Sequence, residues 1–347
     1  MPSTSPALAV VIVTHNSAAC LPVTLAALGP QLGAADELLI VDNASGDGTP
    51  ALVRAGEPRA QVLETGANLG FAAACNAGVA ATRAPLVLFL NPDAAPAAGC
   101  LDALRTAADA HPGWGAWQAL VTLPGGTHVN TSGGVTHFLC FSWAGDCGEP
   151  VVPGDDREVA FASGAALTVR REAWEHVGGF DPDYFMYVED VDLSLRLRLA
   201  GYGVGIARRA VVTHDYDFDK GSYKWLLLER NRWRTVLADY PAELLLALLP
   251  ALLAFELALL PIAARGGWLR EKLRAQWAVL RVLPGLLRRR GRVQATRRVD
   301  AATFADALTA EIDSPYLRVG GRALAPVLSA QRAYWAFVRR LLGAAHA

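Results

Sequence analysis

The chain reads as an α/β protein whose mostly parallel sheet carries helices on both faces, followed by a helical, membrane-associated C-terminal region. Three observations predict this. Short, β-branched, uninterrupted apolar runs recur from residue 8 to about residue 90, each followed by a polar loop and then a helical stretch. That strand, loop, helix rhythm builds parallel sheets. Beyond residue 220 the rhythm stops, and Leu, Ala, Arg and Trp dominate instead.

The first strand is LAVVIVT, residues 8–14, with His15-Asn16-Ser17 expected to cap a helix through about Leu28. Residues 37–41 form the second strand, with the polar turn Asp42-Asn43-Ala44-Ser45-Gly46-Asp47-Gly48-Thr49 after it. Residues 61–64 are the third, and Asn68-Leu69-Gly70-Phe71 opens an Ala-rich helix carrying Asn76. Residues 86–90 are the fourth, ending in Asn91-Pro92-Asp93. A helix is expected over 97–110, a strand over 116–122, and excursion loops with short strands over 124–150. A strand over 158–170 has Ser163-Gly164-Ala165-Ala166 in its middle, small residues that admit close approach to the backbone. Another strand, 203–213, ends in His214.

Residues 178–201, GGFDPDYFMYVEDVDLSLRLRLAG, place Glu189, Asp190 and Asp192 between an aromatic loop and a Leu/Arg segment. The apolar residues from Val191 to Leu199 alternate, as in a strand. Leu and Arg nevertheless favour helix, no β-branched residue follows Val191, and Gly201 suits a left-handed C-terminal position. Any one of the acids alone reads as a helix-terminus residue. Three together beside Phe185 and Tyr187 also suit a general base in an aromatic-lined cleft.

The totals exclude little. The chain has 347 residues, 52% of them hydrophobic, and a net charge of -1. That is enough for one large or two moderate domains. Five scattered cysteines lack C-x-x-C spacing, so neither a zinc site nor a disulfide framework is indicated. The start, MPSTSPALAVVIVTHNS, lacks the basic and long apolar parts of a signal peptide, so the front is expected to stay in the cytosol. A dinucleotide-dependent dehydrogenase would need G-x-G-x-x-G where His15-Asn16-Ser17 stands.

In parallel α/β sheets ligands bind at the carboxyl ends of the strands, and four such ends in a row supply Asp or Asn. One such loop is an ordinary turn. Four describe a groove able to read a base, a ribose and a diphosphate, with Asp93 able to hold a hard divalent cation.

VVIVTHNS, LLIVDNASGDGT, NLGFAAACNAG, LFLNPDA, SGAALTVRREAW, GGFDPDYFMYVEDVDLSLRLRLAGYG and ERNRW occur in the order found in glycosyltransferase family 2, whose Rossmann-like fold is GT-A. The first 220 or so residues resemble that family, with most likeness to bacterial rhamnosyl- and galactofuranosyltransferases of cell-surface polysaccharides. The resemblance implies that Thr14, His15 and Asn16 line the base and ribose pocket, that Asp42 takes a base edge, and that Asn68 and Gly70 close the nucleotide groove. Asn91-Pro92-Asp93 stands at the place of the family's Asp-x-Asp motif without its first acid. Asp93 and His214, about 24 residues beyond Asp190, would hold Mg²⁺ or Mn²⁺. Asp190 matches the family's base, with Glu189 or Asp192 as fallback.

The implied reaction is inverting transfer of a sugar, rhamnose from dTDP-rhamnose first, to a saccharide or polyprenyl-diphosphate-linked acceptor. A UDP-sugar transferase (galactofuranose or another hexose) is the alternative of the same fold, and a catalytically inactive nucleotide-sugar-binding scaffold the alternative of another class. Phe185 and Tyr187 would shape the acceptor mouth. Trp143, Phe138 and Phe141 suit either a sugar-stacking wall or packing under a long loop.

The catalytic domain is expected over 1–220 and the helical region over 221–347. Residues 223–239 read as an amphipathic helix whose Arg230, Arg232 and Arg234 alternate with Trp225 and Trp233, suited to lipid headgroups or to a diphosphate. Residues 242–264 are apolar and long enough to cross a hydrocarbon core, which takes about 20 residues. A single crossing would carry the basic block 265–298 away from the cytosol, against the positive-inside tendency. A hairpin or in-plane insertion broken at Pro250 and Pro261 is therefore expected, at the cytoplasmic face of the membrane, with the basic block on anionic lipid or a lipid-diphosphate acceptor. No nucleic-acid partner is expected.

Overall fold

The computed structural model describes residues 7–215, 223–312 and 325–344. They fall into two compact units, one of Met1–Gly134, Ala144–Leu197 and Tyr202–Tyr216, the other of Val135–Trp143, Arg198–Gly201 and Asp217–Ala347.

In the first unit the chain runs β1 (Leu8–Thr14), α1 (Leu21–Leu28), β2 (Glu37–Asp42), α2 (Thr49–Gly56), β3 (Ala60–Glu64), α3 (Phe71–Ala80), β4 (Leu86–Leu90), β5 (Ala94–Pro96), α4 (Cys100–Ala110), β6 (Trp114–Thr122) and β7 (Val129–Thr131). After the short strands β8 (Gly134–His137) and β9 (Ser142–Ala144) come β10 (Arg157–Glu158), β11 (Ala166–Arg170), α5 (Arg171–Val177), α6 (Glu189–Leu199) and β12 (Gly203–His214). The main sheet has the order β10-β12-β6-β11-β4-β1-β2-β3, with β5 on β12 and β7 on β6. Strands β4, β1, β2 and β3 are parallel, and β11 runs antiparallel to β4 and β6.

The apolar runs are continuous because both sheet faces are covered. Val10, Ile12, Leu38 and Leu88 join the core under α1 and α4, whereas Val11, Leu39, Val41 and Phe89 join the core under α3, α5 and α6. The alternating leucines of α6 are explained in the same way. Leu193, Leu195, Leu197 and Leu199 are all buried, so the helix is wrapped on every side rather than along one stripe. Gly201 takes the expected left-handed conformation at φ +87°.

Three boundaries differ from expectation. Helix α1 starts at Leu21, because Ser17 caps nothing there. Its N–H donates to Thr49 Oγ1 at 3.0 Å and its Oγ accepts from His15 N–H. Helix α4 starts at Cys100, after Gly99 at φ +78°. The expected strand 158–170 survives only at its two ends, as Glu158 of β10 and as β11. The Ser163 N–H donates to Gln118 Oε1 at 2.8 Å, the Gly164 N–H to Asp190 Oδ2 at 3.0 Å, and Ala165 O accepts from the Asn91 N–H. Backbone groups taken by side chains and a loop cannot join a ladder.

The second unit consists of α7 (Tyr223–Asp239), α8 (Ala242–Arg265), α9 (Leu269–Arg281), α10 (Leu283–Ala295), α11 (Ala301–Ala305), β13 (Leu308–Thr309) and α12 (Ala325–Ala344). Strand β13 pairs with β8, and β8 with β9. Helix α7 has the predicted limits, but its arginines do not form a lipid-facing row: Arg232 and Arg234 are buried. The break expected at Pro250 and Pro261 is absent, and α8 is one helix containing both prolines. Both rings lie on its exposed side, and the Ala247 carbonyl, in the turn that Pro250 disrupts, accepts from Tyr334 Oη at 2.5 Å.

Candidate functional site

The site is built at the carboxyl ends of β1, β2 and β4 and at the end of β12. Thr14 and Asp42 are register partners in the parallel pair β1–β2. Both are buried, and Thr14 Oγ1 donates to Asp42 Oδ1 at 3.0 Å while Asp42 Oδ2 accepts from the Ser45 N–H at 3.0 Å. Asp42 thus shapes the loop that follows it. His15 and Asn16 are exposed at the rim, His15 Nδ1 lying 2.9 Å from Asn43 O. Asn16, at φ +56°, accepts from the Gly46 N–H through Oδ1 at 2.8 Å. Asn68 Oδ1 accepts from Asn43 Nδ2 at 2.9 Å and from the Gly70 N–H at 3.0 Å, so Asn43 ties the second loop to the third.

Gly70 has a steric reason. At φ +81° a Cβ there would lie 2.5 Å from Phe185 Cδ2 and 2.6 Å from Phe185 O. Phe185, Tyr187 and Val188 themselves have positive φ, at 64°, 68° and 69°. Backbone strain is thus concentrated in the loop directly before Glu189.

Asp93 and His214 are brought together by β5 and β12, whose antiparallel register pairs His214 with Ala94. His214 Nε2 lies 3.0 Å from Asp93 Oδ1 and 3.3 Å from Asn91 Nδ2. Among the described residues no group of three or more His, Cys, Asp or Glu side chains could hold a metal. A carboxylate and an imidazole suit a hard divalent cation that keeps its remaining positions for diphosphate and water, so these residues fit such an ion.

The three acids of α6 have different environments. Asp192 is fully buried. It accepts from Tyr184 Oη at 2.8 Å and pairs with Arg196, whose guanidinium continues to Val177 O at 2.8 Å and Gly179 O at 2.7 Å. It therefore fastens the GGFDPDY loop to the helix. Asp190 accepts from the Gly164 N–H at 3.0 Å and from the Val191 N–H at 2.9 Å and is partly buried. Burial raises its proton affinity, against the lowering by those two N–H groups. Glu189 is buried, and its Oε2 has no hydrogen-bond partner among the described residues. Desolvation first, then the charge of Asp190, pushes its carboxyl well above the usual range; burial, and after it the neighbouring Glu189, raises the Cys75 thiol of α3.

Two residues that support the site were assigned no role from the sequence: Asn76, noted there only as part of its helix, and Arg196. Asn76 donates through Nδ2 to Phe180 O at 2.8 Å and accepts from the Phe180 N–H at 3.0 Å. The i, i+4 spacing of Asp192 and Arg196 was a readable signal; nothing local distinguishes Asn76. The proposed sugar-stacking aromatics are packed. Trp143 is buried, Phe138 stacks on Trp335 at 5.1 Å, and Phe141 lies 4.8 Å from Phe255 and under Arg232.

The β3-β2-β1-β4 parallel half-sheet, the acid-bearing strand ends and the carboxylate–imidazole pair beside them agree with the GT-A fold expected from the sequence. A profile of glycosyl transferase family 2 matches residues 9–177. N-acetylglucosaminyl-diphospho-decaprenol L-rhamnosyltransferase from Mycobacterium tuberculosis (strain CDC 1551 / Oshkosh) is 34% identical over 219 residues, 56% of this chain and 71% of that protein. Rhamnosyltransferase WbbL of Escherichia coli (strain K12) is 50% identical over 46 residues, 13% of this chain and 17% of that one. The chain belongs to glycosyltransferase family 2.

Solved structures agree on the fold. GalNAc-T7 with UDP, GalNAc and Mn²⁺ superposes with a TM-score of 0.57 at 14% identity, over 69% of this chain and 49% of that one. Mannosyltransferase PcManGT from Pyrobaculum calidifontis, in complex with GDP-Man and Mn²⁺, gives 0.51 at 20%, over 85% and 87%. S. aureus TarS gives 0.51 at 15%, over 98% and 90%.

Proposed function

We propose that this glycosyltransferase inverts the anomeric centre of a nucleotide-activated sugar, rhamnose from dTDP-rhamnose, as it passes to a saccharide or polyprenyl-diphosphate-linked acceptor. The reaction belongs to cell-surface polysaccharide synthesis at the cytoplasmic face of the membrane. The observation that carries the chemistry is Asp190: a partly buried carboxylate held by two backbone N–H groups, with raised proton affinity, beside a strained aromatic loop. Such a group can take the proton of an attacking hydroxyl. The 34% identical relative, named for rhamnosyl transfer to N-acetylglucosaminyl-diphospho-decaprenol, supports the choice of sugar and acceptor.

Asp93 and His214 would hold Mg²⁺ or Mn²⁺, which supplies Lewis-acid stabilisation of the departing diphosphate. His15, Asn16, Asn68 and the loop shaped by Thr14 and Asp42 surround the nucleotide, and Gly70 lets Phe185 close over it. Phe185 and Tyr187 face the acceptor. A screen of dTDP-rhamnose against UDP-galactofuranose and other UDP-hexoses, with a short prenyl-diphosphate N-acetylglucosamine acceptor, tests the reading by nucleotide release and product NMR. Release of dTDP with an inverted product is expected. Retained configuration would overturn inversion, preference for a UDP-sugar would overturn the donor, and binding without turnover would make the protein a scaffold.

A further inference from the structure

The helical unit presents a surface that the proposed chemistry does not use. In α8 Leu246, Leu249, Leu253, Leu257 and Ile262 are exposed, whereas Leu244, Leu248, Leu252 and Ala263 are buried. Leu246, Leu249, Leu253 and Leu257, spaced by three and four residues, form an outer stripe, and Leu244, Leu248 and Leu252 an inner one, both apolar. Its most apolar 18-residue window has a mean hydropathy of 2.3 and is only 11% buried. The acid inside this run, Glu256, belongs to the inner side, where it accepts from Lys272 Nζ at 2.5 Å and Gln276 Nε2 at 2.8 Å and pairs with Arg232. The outer stripe therefore carries no charge. On α9, against which α8 packs, Leu273, Trp277 and Leu280 are exposed and interleaved with exposed Arg270, Arg274 and Arg281.

We infer that the outer faces of α8 and α9 lie in one leaflet of a bilayer containing anionic lipids, α8 in the membrane plane among the acyl chains and the Arg/Trp face of α9 at headgroup level. The inference rests on the membrane-surface location proposed above and adds the face, its depth and the lipid charge. Exposed apolar surface on this scale marks an interaction site, and three observations select the occupant. A crossing helix would have to leave its inner contacts and carry Glu256 away from the buried Lys272, 2.5 Å from it, and from Arg232. A second copy would set one arginine rim against another, since Glu271 is the only acid from 265 to 298. Anionic headgroups complement that rim, and a tryptophan with arginines above an apolar stripe is the composition of an interfacial helix.

The purified full chain is expected to co-sediment with phosphatidylcholine vesicles containing phosphatidylglycerol and to bind neutral vesicles at least tenfold more weakly. Leu249→Glu with Leu253→Glu should weaken binding at least tenfold while sedimentation velocity in buffer is unchanged. Unaltered vesicle binding, or conversion of a dimer to monomer by the same variant, overturns the inference. For depth, a fluorophore is attached at Leu246→Cys, Leu253→Cys or Leu257→Cys in a chain with Cys20→Ser and Cys147→Ser. Spin-labelled lipids should quench all three at one shallow depth, and a centre deeper than both ends means crossing and overturns it. Transfer to a water-soluble acceptor reads the reaction separately: vesicle binding as stated without sugar transfer supports the surface and counts against the proposed chemistry.

Discussion

Asp190→Asn separates the proton-accepting role of this residue from its structural one. Both carboxylate oxygens are engaged, Oδ2 by the Gly164 N–H at 3.0 Å and Oδ1 by the Val191 N–H at 2.9 Å. An amide has one oxygen, so its NH₂ group must face one of those donors. An unsatisfied buried donor costs about 1–3 kcal/mol, and at about 2–4 °C per kcal/mol the midpoint should fall by about 2–12 °C. The chemical loss is larger. Removing a general base costs about 10²–10⁴ in rate, or about 3–5 kcal/mol of transition-state stabilisation. The nucleotide-facing groups lie on other strand ends, so donor affinity by calorimetry should stay within about threefold, or ~0.7 kcal/mol. Turnover within tenfold of the parent, or a donor-affinity loss as large as the rate loss, would refute the assignment.

Glu189→Gln should stabilise the protein at pH 8 and do nothing near pH 4. Folding raises this carboxyl above its ordinary 4.5, so its contribution is complete below that value and is lost as pH rises toward the folded pKa, a loss that neutral Gln does not suffer. Thermal midpoints across pH 4–8 check the sign, and a gap that widens toward acid would contradict it. Gly70→Ala forces φ +81° on a residue with a Cβ, costing about 1–3 kcal/mol, and pushes Phe185 away. We expect kcat/KM to fall at least tenfold, whereas Gly66→Ala, at φ +72° in open space, should lose stability alone. Lys272→Met leaves Arg232 to balance both Glu229 and Glu256 and should cost about 3–5 kcal/mol in denaturant unfolding. Adding Glu256→Gln should recover most of that; no recovery would mean the cluster does not act as a balanced unit.

Local chemistry wrote much of this protein plainly into its sequence. The apolar runs of β1, β2 and β4, the polar residues at their ends and the span of α7 follow from side-chain size, branching and periodicity over a few neighbouring positions. So did the helical state of residues 189–199, although their alternation mimics a strand. Tertiary structure decided what depends on distant partners. Asp93 meets His214 only through the β5–β12 register, across 121 positions. Spacing offers Asp192 a partner in Arg196, but only the fold brings Gly164 to Asp190 and Tyr184 to Asp192. Ser163 and Gly164 left the expected strand because side chains elsewhere took their backbone groups. The prolines of α8 broke nothing, and Glu256, a flaw in an apolar segment when read linearly, turned inward onto Lys272 and Arg232. In each case the deciding energy is the pairing of a buried polar group, and its partner is set by the fold rather than by neighbours in the chain.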